Sequence, residues 1–289
     1  MTASPPRPRG RRRRLAGLRA IVTGASSGVG RALALDLACR GVSVVATARR
    51  AERLDEVVAR AAARPGAAVV VPVVGDVTDA AVRDRLVATA RERFGGLDIV
   101  VAAAGAGAVG SFRDESPEVF ARIIDLDLVA PAELVRSALP LLQASADPAV
   151  VFVGSILGWR PFPWYAGYCA AKAGLRSLAG TLRLELAPQG IDVLHVTLGP
   201  VASEFFDALV AGSRPSWVSS STALMTPEAA AAAIVAGIVG RRREVMPGWR
   251  ARGFVWAARF APGLIDSAAA RHLRTMESAA NSRGDGPQR

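Results

Sequence analysis

Short apolar runs alternate with longer amphipathic stretches from about residue 19 onwards. The runs are continuous rather than interleaved with polar residues, which is typical of strands buried on both faces of a sheet. The stretches between them, such as "RALALDLACR" (31–40) and "DAAVRDRLVATARERF" (79–94), predict helices. The seven runs are "AIVTG" (20–24), "VSVVATA" (42–48), "AAVVVPVVG" (67–75), "LDIVVAAAG" (97–105), "AVVFVGS" (149–155), "IDVLHVTLG" (191–199) and the weaker "REVMP" (243–247). This alternation predicts an α/β fold with a doubly wound, about seven-stranded and mainly parallel sheet that carries helices on both faces.

The chain length fits one domain of this type with a segment added at each end. At 289 residues and 30.0 kDa, the protein is long for one average domain and short for two. We place the folded domain at residues 17–247. Residues 1–16 are interpreted as a basic, disordered N-terminal tail, and residues 248–289 as a partly helical C-terminal extension with a disordered end.

Neither end carries a recognisable secretory or membrane-spanning segment. The N-terminal "MTASPPRPRGRRRR" lacks the apolar region of a secretory signal. No uncharged apolar run reaches about 18 residues, so the sequence predicts no transmembrane helix. The two cysteines, Cys39 and Cys169, form no disulfide framework, which fits a reducing compartment. We therefore expect a cytoplasmic protein, and association with the membrane surface stays open.

The positive charge of the chain is concentrated at its two ends. The net charge is +11, and residues 1–14 carry six arginines and no acidic residue. Residues 241–274 carry eight arginines against Glu244 and Asp266, so the central part of the chain is nearly neutral. A nucleic-acid-binding fold would carry its basic face on the folded body, and we therefore disfavour a nucleic-acid partner. Arginines mixed with aromatics over 248–276 fit an interfacial helix on anionic lipid, a helix packed on a partner subunit, or a cover over an active site.

The first predicted strand leads into "TGASSGVG", residues 23–30, and then into a helix. Gly24, Gly28 and Gly30 permit a tight turn and leave space for a pyrophosphate beside the backbone. The free N–H groups and the positive dipole end of the following helix attract such an anion. Position between a strand and a helix makes nucleotide binding the favoured interpretation, with a plain turn as the alternative.

The end of the second predicted strand indicates which dinucleotide is bound. In dinucleotide folds an acidic residue near this point binds the ribose 2′-hydroxyl. Here the position is Ala48, and Arg49 and Arg50 follow it. A guanidinium pairs with a 2′-phosphate and no carboxylate repels it, so the sequence predicts that NADP(H) is preferred over NAD(H). The alternative is that both arginines merely begin a solvated helix.

Tyr168 and Lys172 stand four residues apart, which places them on one face of a helix. Lys172 is the only lysine in the chain. A nearby ammonium stabilises a phenolate and makes tyrosine a better proton shuttle. Ser155 ends the fifth predicted strand, at the sheet edge where ligands bind, and its hydroxyl could hold a carbonyl oxygen. A surface tyrosine with a solvated lysine is the alternative.

These motifs, in this order, resemble the short-chain dehydrogenase/reductase family over about residues 17–247. The matching stretches are "TGASSGVG", "GDVTD" (75–79), "LDIVVAAAG", "GS" (154–155), "YCAAK" (168–172) and "LGPVASEFF" (198–206). The resemblance implies a single doubly wound Rossmann domain that transfers a hydride between a nicotinamide and a carbonyl or alcohol, in a homodimer or homotetramer. It implies Tyr168 as general acid/base, Lys172 as its partner and Ser155 as carbonyl polariser. The cofactor-binding residues implied are Gly24, Ser26, Ser27, Gly28, Val29, Gly30, Arg49, Asp76, Val77, Ala103, Gly105, Tyr168, Lys172, Gly199, Val201 and Ser203.

The sequence departs from the family pattern at two places. The family's Asn-Asn-Ala-Gly after the fourth strand is Ala102 to Gly105 here, which is expected to weaken a contact between strands or with adenosine. The family's helical asparagine, which usually holds a water that links the lysine to solvent, corresponds to Asp127. We count Asp127 among the catalytic residues and expect a slower or differently tuned enzyme. A catalytically weak or inactive NADP-binding scaffold of the same fold is the alternative.

Aromatic residues surround the predicted site and indicate a bulky, lipophilic carbonyl or alcohol as substrate. Local packing is an equally open explanation for them. His195 and His272 lack the spacing of metal ligands, and we expect no metal site. The aromatic residues are Trp159, Phe162, Trp164, Tyr165, Phe205, Phe206 and Trp217.

Overall fold

A computed structural model describes residues 12–213 and 224–282. Its centre is a seven-stranded sheet in the order β3-β2-β1-β4-β5-β6-β7, in which every strand pair is parallel. Each predicted apolar run contains one strand, so the predicted doubly wound parallel sheet is confirmed. The strands are β1 (Arg19–Thr23), β2 (Ser43–Ala48), β3 (Val70–Val74), β4 (Ile99–Ala102), β5 (Ala149–Ser155), β6 (Asp192–Leu198) and β7 (Glu244–Val245).

Helices cover both faces of this sheet. The chain crosses over after β1 and β4 in opposite directions, and the sheet edge between these two strands is where a doubly wound fold binds ligands. The α-helices of the described residues are α1 (Gly28–Cys39), α2 (Ala51–Ala62), α3 (Ala80–Phe94), α4 (Pro117–Ile124), α5 (Ala130–Ala144), α6 (Ala166–Glu185), α7 (Pro227–Val239), α8 (Trp249–Phe260) and α9 (Pro262–Ser282).

The core consists of two apolar layers, one on each face of the sheet. Successive strand residues point to opposite faces, so Val22 packs in the layer beneath α1 and α7 while Ile21 packs in the layer beneath α3, α5 and α6. All seven residues of β5 are buried, as expected of a central strand covered on both sides. The site residues at the strand ends are therefore held by a rigid, fully packed scaffold.

The N-terminal segment joins the folded domain before residue 17. Arg13 is only 3% exposed, and its guanidinium donates to Ile238 O at 3.0 Å and to Asp192 Oδ2 at 2.7 Å. Its Nη2 also lies 3.1 Å from Asp147 Oδ1. The predicted basic tail of residues 1–16 thus overlaps the packed domain, because a buried guanidinium with carboxylate partners is part of the core rather than of a solvated tail.

A π-helical turn, Asp125–Val129, interrupts the long helical stretch formed by α4 and α5. Such turns widen the helix by one residue and often occur at functional sites. This turn places Asp127 in the interior, where it is 0% exposed. The π-helical turn therefore directs the carboxylate of Asp127 into the protein interior.

Helices α8 and α9 come after β7 in the chain and pack near the carboxyl ends of the strands, where the fold binds ligands. Ala251 and Val255 bury one face of α8, and Arg160 donates from Nε to Asp266 of α9 at 2.8 Å. Within the described residues, no helix combines the length and low charge that crossing a bilayer requires. The extension predicted from residue 248 is thus helical over 249–260 and 262–282.

Candidate active site

A cavity of about 780 Å³ opens at the carboxyl ends of the strands. It is bounded by the glycine loop after β1, by the ends of β2 to β6, by α6 and by residues 198–208. Every predicted cofactor-binding residue lines it, together with Ser155. Asp127 does not line the cavity and lies directly behind its wall. The fold therefore gathers the predicted residues into one site.

The glycine loop has the close backbone approaches that its sequence predicts. Gly24 and Gly28 have φ angles of +67° and +51°, in the left-handed region that favours glycine. A Cβ on Gly30 would lie 2.3 Å from Gly24 O, so no side chain fits there. The three glycines thus bring the loop backbone against the start of α1.

The cavity has the features that a dinucleotide requires. The three glycines of the loop leave the backbone open to the cavity floor, and the N-terminus of α1 faces the cavity without a side-chain cap from Ser27. Free N–H groups at such a helix end bind an anion such as pyrophosphate. Gly199, Val201 and Ser203 lie on the opposite wall, and Ser203 Cβ would be 3.1 Å from a Cβ on Gly28. The residues present therefore fit a nicotinamide dinucleotide.

Basic side chains surround the end of the cavity nearest β2. Arg49 and Arg50 both line the cavity, and Arg50 donates to Ser26 Oγ at 3.2 Å and to Glu204 Oε2 at 2.8 Å. Asp76 pairs with Arg122 and accepts from Thr78 N at 3.0 Å. Burial raises the pKa of Asp76, but the hydrogen bonds from Thr78 and Arg122 outweigh it and hold this pKa below its usual value.

Three polar side chains meet at the inner end of the cavity. Ser155 ends β5, and Tyr168 and Lys172 lie one turn apart on α6. Lys172 Nζ is 5.5 Å from the centre of the Tyr168 ring and donates to Val153 O at 3.3 Å. The helix and the strand end thus place a hydroxyl, a phenol and an ammonium around one point, as the spacing of the motif predicts.

Asp127 forms a buried ion pair with the single lysine. Its Oδ2 lies 3.3 Å from Lys172 Nζ, and its Oδ1 accepts from Ala106 N at 3.0 Å. Burial raises the pKa of Asp127 and outweighs the opposing effects of Lys172 and the Ala106 N–H, so the pKa lies above its usual value. Gly105 covers the pair, since a Cβ there would be 2.9 Å from Asp127 Oδ1. The carboxylate therefore contacts the ammonium directly, rather than only through a water as the family resemblance suggested.

The electrostatics at Tyr168 differ from the expectation based on Lys172 alone. Burial raises the pKa of the Tyr168 hydroxyl, and the negative charge of Asp127 raises it further. A hydrogen bond with Ser155 lowers this pKa, but does not outweigh the first two effects. Burial is the larger cause of the raised pKa, and the Asp127 carboxylate adds to it because it offsets the field that the Lys172 ammonium would exert on the phenol.

The alanines that replace the family's two asparagines retain a contact between strands. Thr23 Oγ1, at the end of β1, accepts from Ala103 N at 3.0 Å and from Ala104 N at 2.9 Å. These bonds use backbone donors, so they do not depend on the side chains at these positions. The expected weakening of the strand contact is therefore limited to the hydrogen bonds that asparagine side chains would make in addition to these backbone bonds.

Aromatic side chains form part of the wall at the inner end of the cavity, which we call the inner cavity. Phe205 packs on Tyr168 with ring centres 5.6 Å apart, and Phe206 packs on Phe205 at 5.2 Å. Among the other aromatics singled out from the sequence, Phe162 and Tyr165 line the cavity, whereas Trp159 stacks on Arg176. Trp164 has a positive φ of 70° and its carbonyl accepts from Gly110 N. Trp217 lies outside the described residues.

The cavity also contains residues that the sequence did not single out as cofactor or catalytic residues. The sequence distinguished Arg50 from Arg49 only by its order in the chain, yet Arg50 donates hydrogen bonds to Ser26 and Glu204. Phe254 of α8 closes part of the wall from the C-terminal extension. Only the aromatic content of that extension could have indicated this.

The cavity and the sheet together define a dinucleotide-binding oxidoreductase of the single-domain α/β class. Comparison with known proteins identifies the class more closely, because the family profile described as short chain dehydrogenase matches residues 19–213. The chain belongs to the short-chain dehydrogenase/reductase family. It is an oxidoreductase that acts on CH–OH and C=O groups and uses a nicotinamide cofactor.

Named relatives support this assignment. The chain is 36% identical over 256 residues to an uncharacterized oxidoreductase of Myxococcus xanthus, covering 88% of this chain and 97% of that protein. It is 35% identical over 198 residues to human dehydrogenase/reductase SDR family member 4, covering 68% of this chain and 70% of that protein. A solved short-chain dehydrogenase from Sphingobium yanoikuyae, in complex with NADPH, superimposes with a TM-score of 0.71 at 26% identity, covering 90% and 95% of the two chains.

Proposed function

We propose that the protein is an NADP(H)-dependent oxidoreductase that interconverts a lipophilic carbonyl compound and its alcohol, with Tyr168 as general acid/base. The observation that carries this proposal is the meeting of Ser155, Tyr168 and Lys172 at the inner end of the cavity whose floor is the glycine loop. A bound nicotinamide would supply the hydride for reduction or take it up in oxidation.

Apart from hydride transfer, Tyr168, Ser155 and Lys172 each have a separate role in the reaction. During reduction the Tyr168 hydroxyl gives its proton to the carbonyl oxygen, and during oxidation the phenolate takes the proton back from the alcohol. Ser155 holds that oxygen through its hydroxyl and stabilises the charge that develops on it. Lys172 binds the adjacent ribose hydroxyls and supports the phenolate from one turn away.

The proton-transfer role of Tyr168 is tested by replacing its hydroxyl. Tyr168→Phe should bind NADPH with an affinity within about threefold of wild type and lose at least about a hundredfold of the turnover, which is the range that general acid catalysis contributes. NADPH fluorescence measures binding, and NADPH oxidation over a panel of ketones measures turnover. Turnover equal to that of wild type would refute the mechanism.

Preference for NADP(H) rests on the two arginines after β2. Arg49 and Arg50 line the cavity at the place where an acidic residue would select NAD(H), and Ala48 carries no charge. Arg49→Ala should weaken NADPH binding by about tenfold or more and change NADH binding little, because a charge-assisted bond to the 2′-phosphate is lost. An equal loss for both cofactors would refute the preference.

A catalytically weak NADP-binding protein is the second candidate, and the Asp127–Lys172 ion pair favours it. The pair offsets the lysine charge on which the phenolate depends. This candidate predicts NADPH binding without turnover across a broad panel of ketones and alcohols. Turnover with any member of the panel that is lost in Tyr168→Phe would exclude it.

The aromatic wall supports a lipophilic substrate. Phe162, Phe205, Phe206 and Phe254 give the inner cavity an apolar surface next to Tyr168. Burial of apolar substrate area contributes roughly 25 cal/mol per Å², so kcat/KM should increase from a short aliphatic ketone to a cyclic or aryl ketone of the same reactivity. A preference for small polar carbonyls would contradict the assignment.

We also propose that the enzyme is cytoplasmic and contacts anionic membrane surfaces through α8. Trp249, Trp256 and Phe260 are 76%, 64% and 64% exposed, and Arg250 and Arg259 lie over two of these rings. Exposed aromatics beside arginines are typical of interfacial helices. Trp256→Ser with Phe260→Ser should reduce co-sedimentation with anionic vesicles and leave neutral vesicles unbound. Equal recovery of both proteins with the vesicles would refute the contact.

The family commonly forms oligomers, and we propose a homodimer or homotetramer for this protein. Light scattering coupled to gel filtration gives the molar mass directly. A mass of one 30.0 kDa chain at micromolar concentration would refute this proposal.

A further inference from the structure

A short turn of the chain lies across the cavity between the glycine loop and α6. It consists of Ser203 and the 3-10 turn Glu204–Phe206 that Ser203 caps by accepting from Phe205 N at 3.4 Å. Ser203 faces Gly28, and Phe205 packs on Tyr168. We call residues 203–206 the strap. The strap thus contacts the cofactor floor at one end and the catalytic tyrosine at the other.

The strap carries a carboxylate at the basic end of the cavity. Glu204 Oε2 lies 2.8 Å from Arg50 Nη1, and Oε1 lies 3.4 Å from Arg53 Nη1. Arg50 donates through Nη2 to Ser26 Oγ at 3.2 Å, which fixes the guanidinium beside the glycine loop. The hydrogen bond from Arg50 is the main reason that the pKa of Glu204 lies below its usual value. Glu204 is therefore ionised at neutral pH and neutralises the arginine next to Arg49.

The acidic residues of the cavity wall have different surroundings. Asp76 is paired with Arg122 and Thr78, on the side of α3 and α4. Glu204 instead occupies Arg50, one of the two arginines at the position that selects between NADP(H) and NAD(H). A carboxylate and a phosphate compete for the same guanidinium donors, because both are anions with at least two oxygens that can accept hydrogen bonds from one arginine.

We propose that Glu204 is a specificity-determining residue that lowers the preference for NADP(H), because its carboxylate holds Arg50 where a 2′-phosphate would otherwise bind. This inference rests on the proposed use of a nicotinamide cofactor. Binding of the 2′-phosphate then requires Arg50 to leave Glu204. The adenosine hydroxyl of NAD(H) requires no such exchange, so Glu204 penalises the phosphorylated cofactor alone.

The solvent exposure of the Arg50–Glu204 ion pair determines how much the loss of Glu204 should change NADPH binding. The side chains of Arg50 and Glu204 are 44% and 38% exposed, so water screens their interaction. Partly exposed ion pairs change equilibria modestly, and we expect Glu204→Gln to tighten NADPH binding by about two- to fivefold. NADH binding should change by less than about 1.5-fold, because it gains no anion at Arg50.

Direct binding measurements test this inference without any turnover. Isothermal titration of the full chain with NADPH and with NADH gives four dissociation constants for wild type and Glu204→Gln. Glu56→Gln is the matched control, because it removes one negative charge from the exposed side of α2, outside the cavity lining. The control should leave both dissociation constants within about 1.5-fold of wild type, as surface charges away from a site do.

A double-mutant cycle identifies the partner of Glu204. If Glu204 acts through Arg50, then Glu204→Gln should no longer tighten NADPH binding in an Arg50→Gln background. Three outcomes would overturn the inference. Glu204→Gln could tighten the binding of NADPH and NADH equally, or weaken the binding of both, as expected if the strap only clamps the cofactor. The third outcome is that Glu204→Gln still tightens NADPH binding when Arg50 is absent. Wild type that binds neither cofactor would overturn the proposed function as well, which separates the two failures.

Discussion

Replacing Asp127 by asparagine tests whether the buried ion pair sets the proton affinity of Tyr168. Asp127→Asn removes the negative charge and retains an oxygen that can accept from Ala106 N, as Oδ1 does at 3.0 Å. Lys172 keeps its bond to Val153 O at 3.3 Å. The change thus removes the charge of the carboxylate with little change in shape. We expect Tyr168 to ionise at lower pH in the variant, because its partner charge at Asp127 disappears.

The distances set the magnitude of this effect. At an effective dielectric constant of about 20, a unit charge 5.5 Å from the Tyr168 ring centre interacts with the phenolate by about 3 kcal/mol. The carboxylate lies 3.3 Å from that charge and cancels a large part of its field. If half of the interaction returns, about 1.5 kcal/mol, the phenolate population at a given pH rises about tenfold. Alcohol oxidation, which needs the phenolate, should gain by about the same factor at neutral pH.

The chain offers a spectroscopic assay for this shift. Its only tyrosines are Tyr165 and Tyr168, so in a Tyr165→Phe background the ultraviolet absorbance of phenolate reports Tyr168 alone. Absorbance is followed from neutral to alkaline pH in this background with and without Asp127→Asn, and far-ultraviolet circular dichroism is recorded in parallel. Only absorbance changes that precede loss of secondary structure are counted.

The nearby Asp125 provides the control. It belongs to the same π-helical turn but is partly exposed and does not line the cavity. Asp125→Asn should leave the titration of Tyr168 unchanged, because water screens its charge. An identical or more alkaline titration in Asp127→Asn would refute the reasoning, since it would mean that the charge of Asp127 does not raise the pKa of Tyr168.

Three further substitutions test the loop and the core. Gly30→Ala should abolish NADPH binding in a titration while the protein stays folded, because its Cβ would lie 2.3 Å from Gly24 O and displace the loop; retained affinity would contradict this packing. Arg13→Ala should lower the free energy of unfolding by about 2 kcal/mol in urea, since it removes the bonds of a buried guanidinium to Ile238 O and Pro148 O, while Arg241 still pairs with Asp147 and Asp192; a loss below about 0.5 kcal/mol would restore the tail interpretation. Asp98 has a pKa below its usual value: burial raises it, but bonds from Arg19 and Ser145 outweigh burial. Its stabilisation is therefore present above about pH 3.9 and lost as pH falls through the folded value, so Asp98→Asn should cost stability at pH 7 and much less in acid.

Most of the fold could be predicted from the sequence, because the buried strands have a distinctive composition. "AVVFVGS" and "IDVLHVTLG" read as covered strands, and β5 and β6 occupy them with aligned registers. The glycine spacing was equally informative, since Gly24 and Gly28 have positive φ angles and a Cβ on Gly30 would meet Gly24 O six residues earlier. Local chemistry of this kind is visible in a sequence because its partners are near in the chain.

Contacts between distant residues could not be predicted in the same way. Arg50 and Glu204 are 154 residues apart, and neither has a sequence signature for the pair. Arg13 lies in an arginine-rich stretch that reads as a solvated tail, yet its partners come from β6 and the segment before β5. The sequence showed that Asp127 replaces an asparagine, but the direct contact with Lys172 depends on how the π-helical turn directs the side chain.

The two proposed adjustments share one physical pattern. Two functional cations of the cavity, Lys172 at the catalytic end and Arg50 at the adenosine end, each have a carboxylate of the same chain within hydrogen-bonding or ion-pair distance. Folding without cofactor gains from each pair, because an isolated buried or half-buried cation is costly. Function loses by the same interaction, since the phenolate and the 2′-phosphate must each compete with a carboxylate for the cation. The strap contacts both ends of the cavity, through Glu204 at Arg50 and through Phe205 at Tyr168.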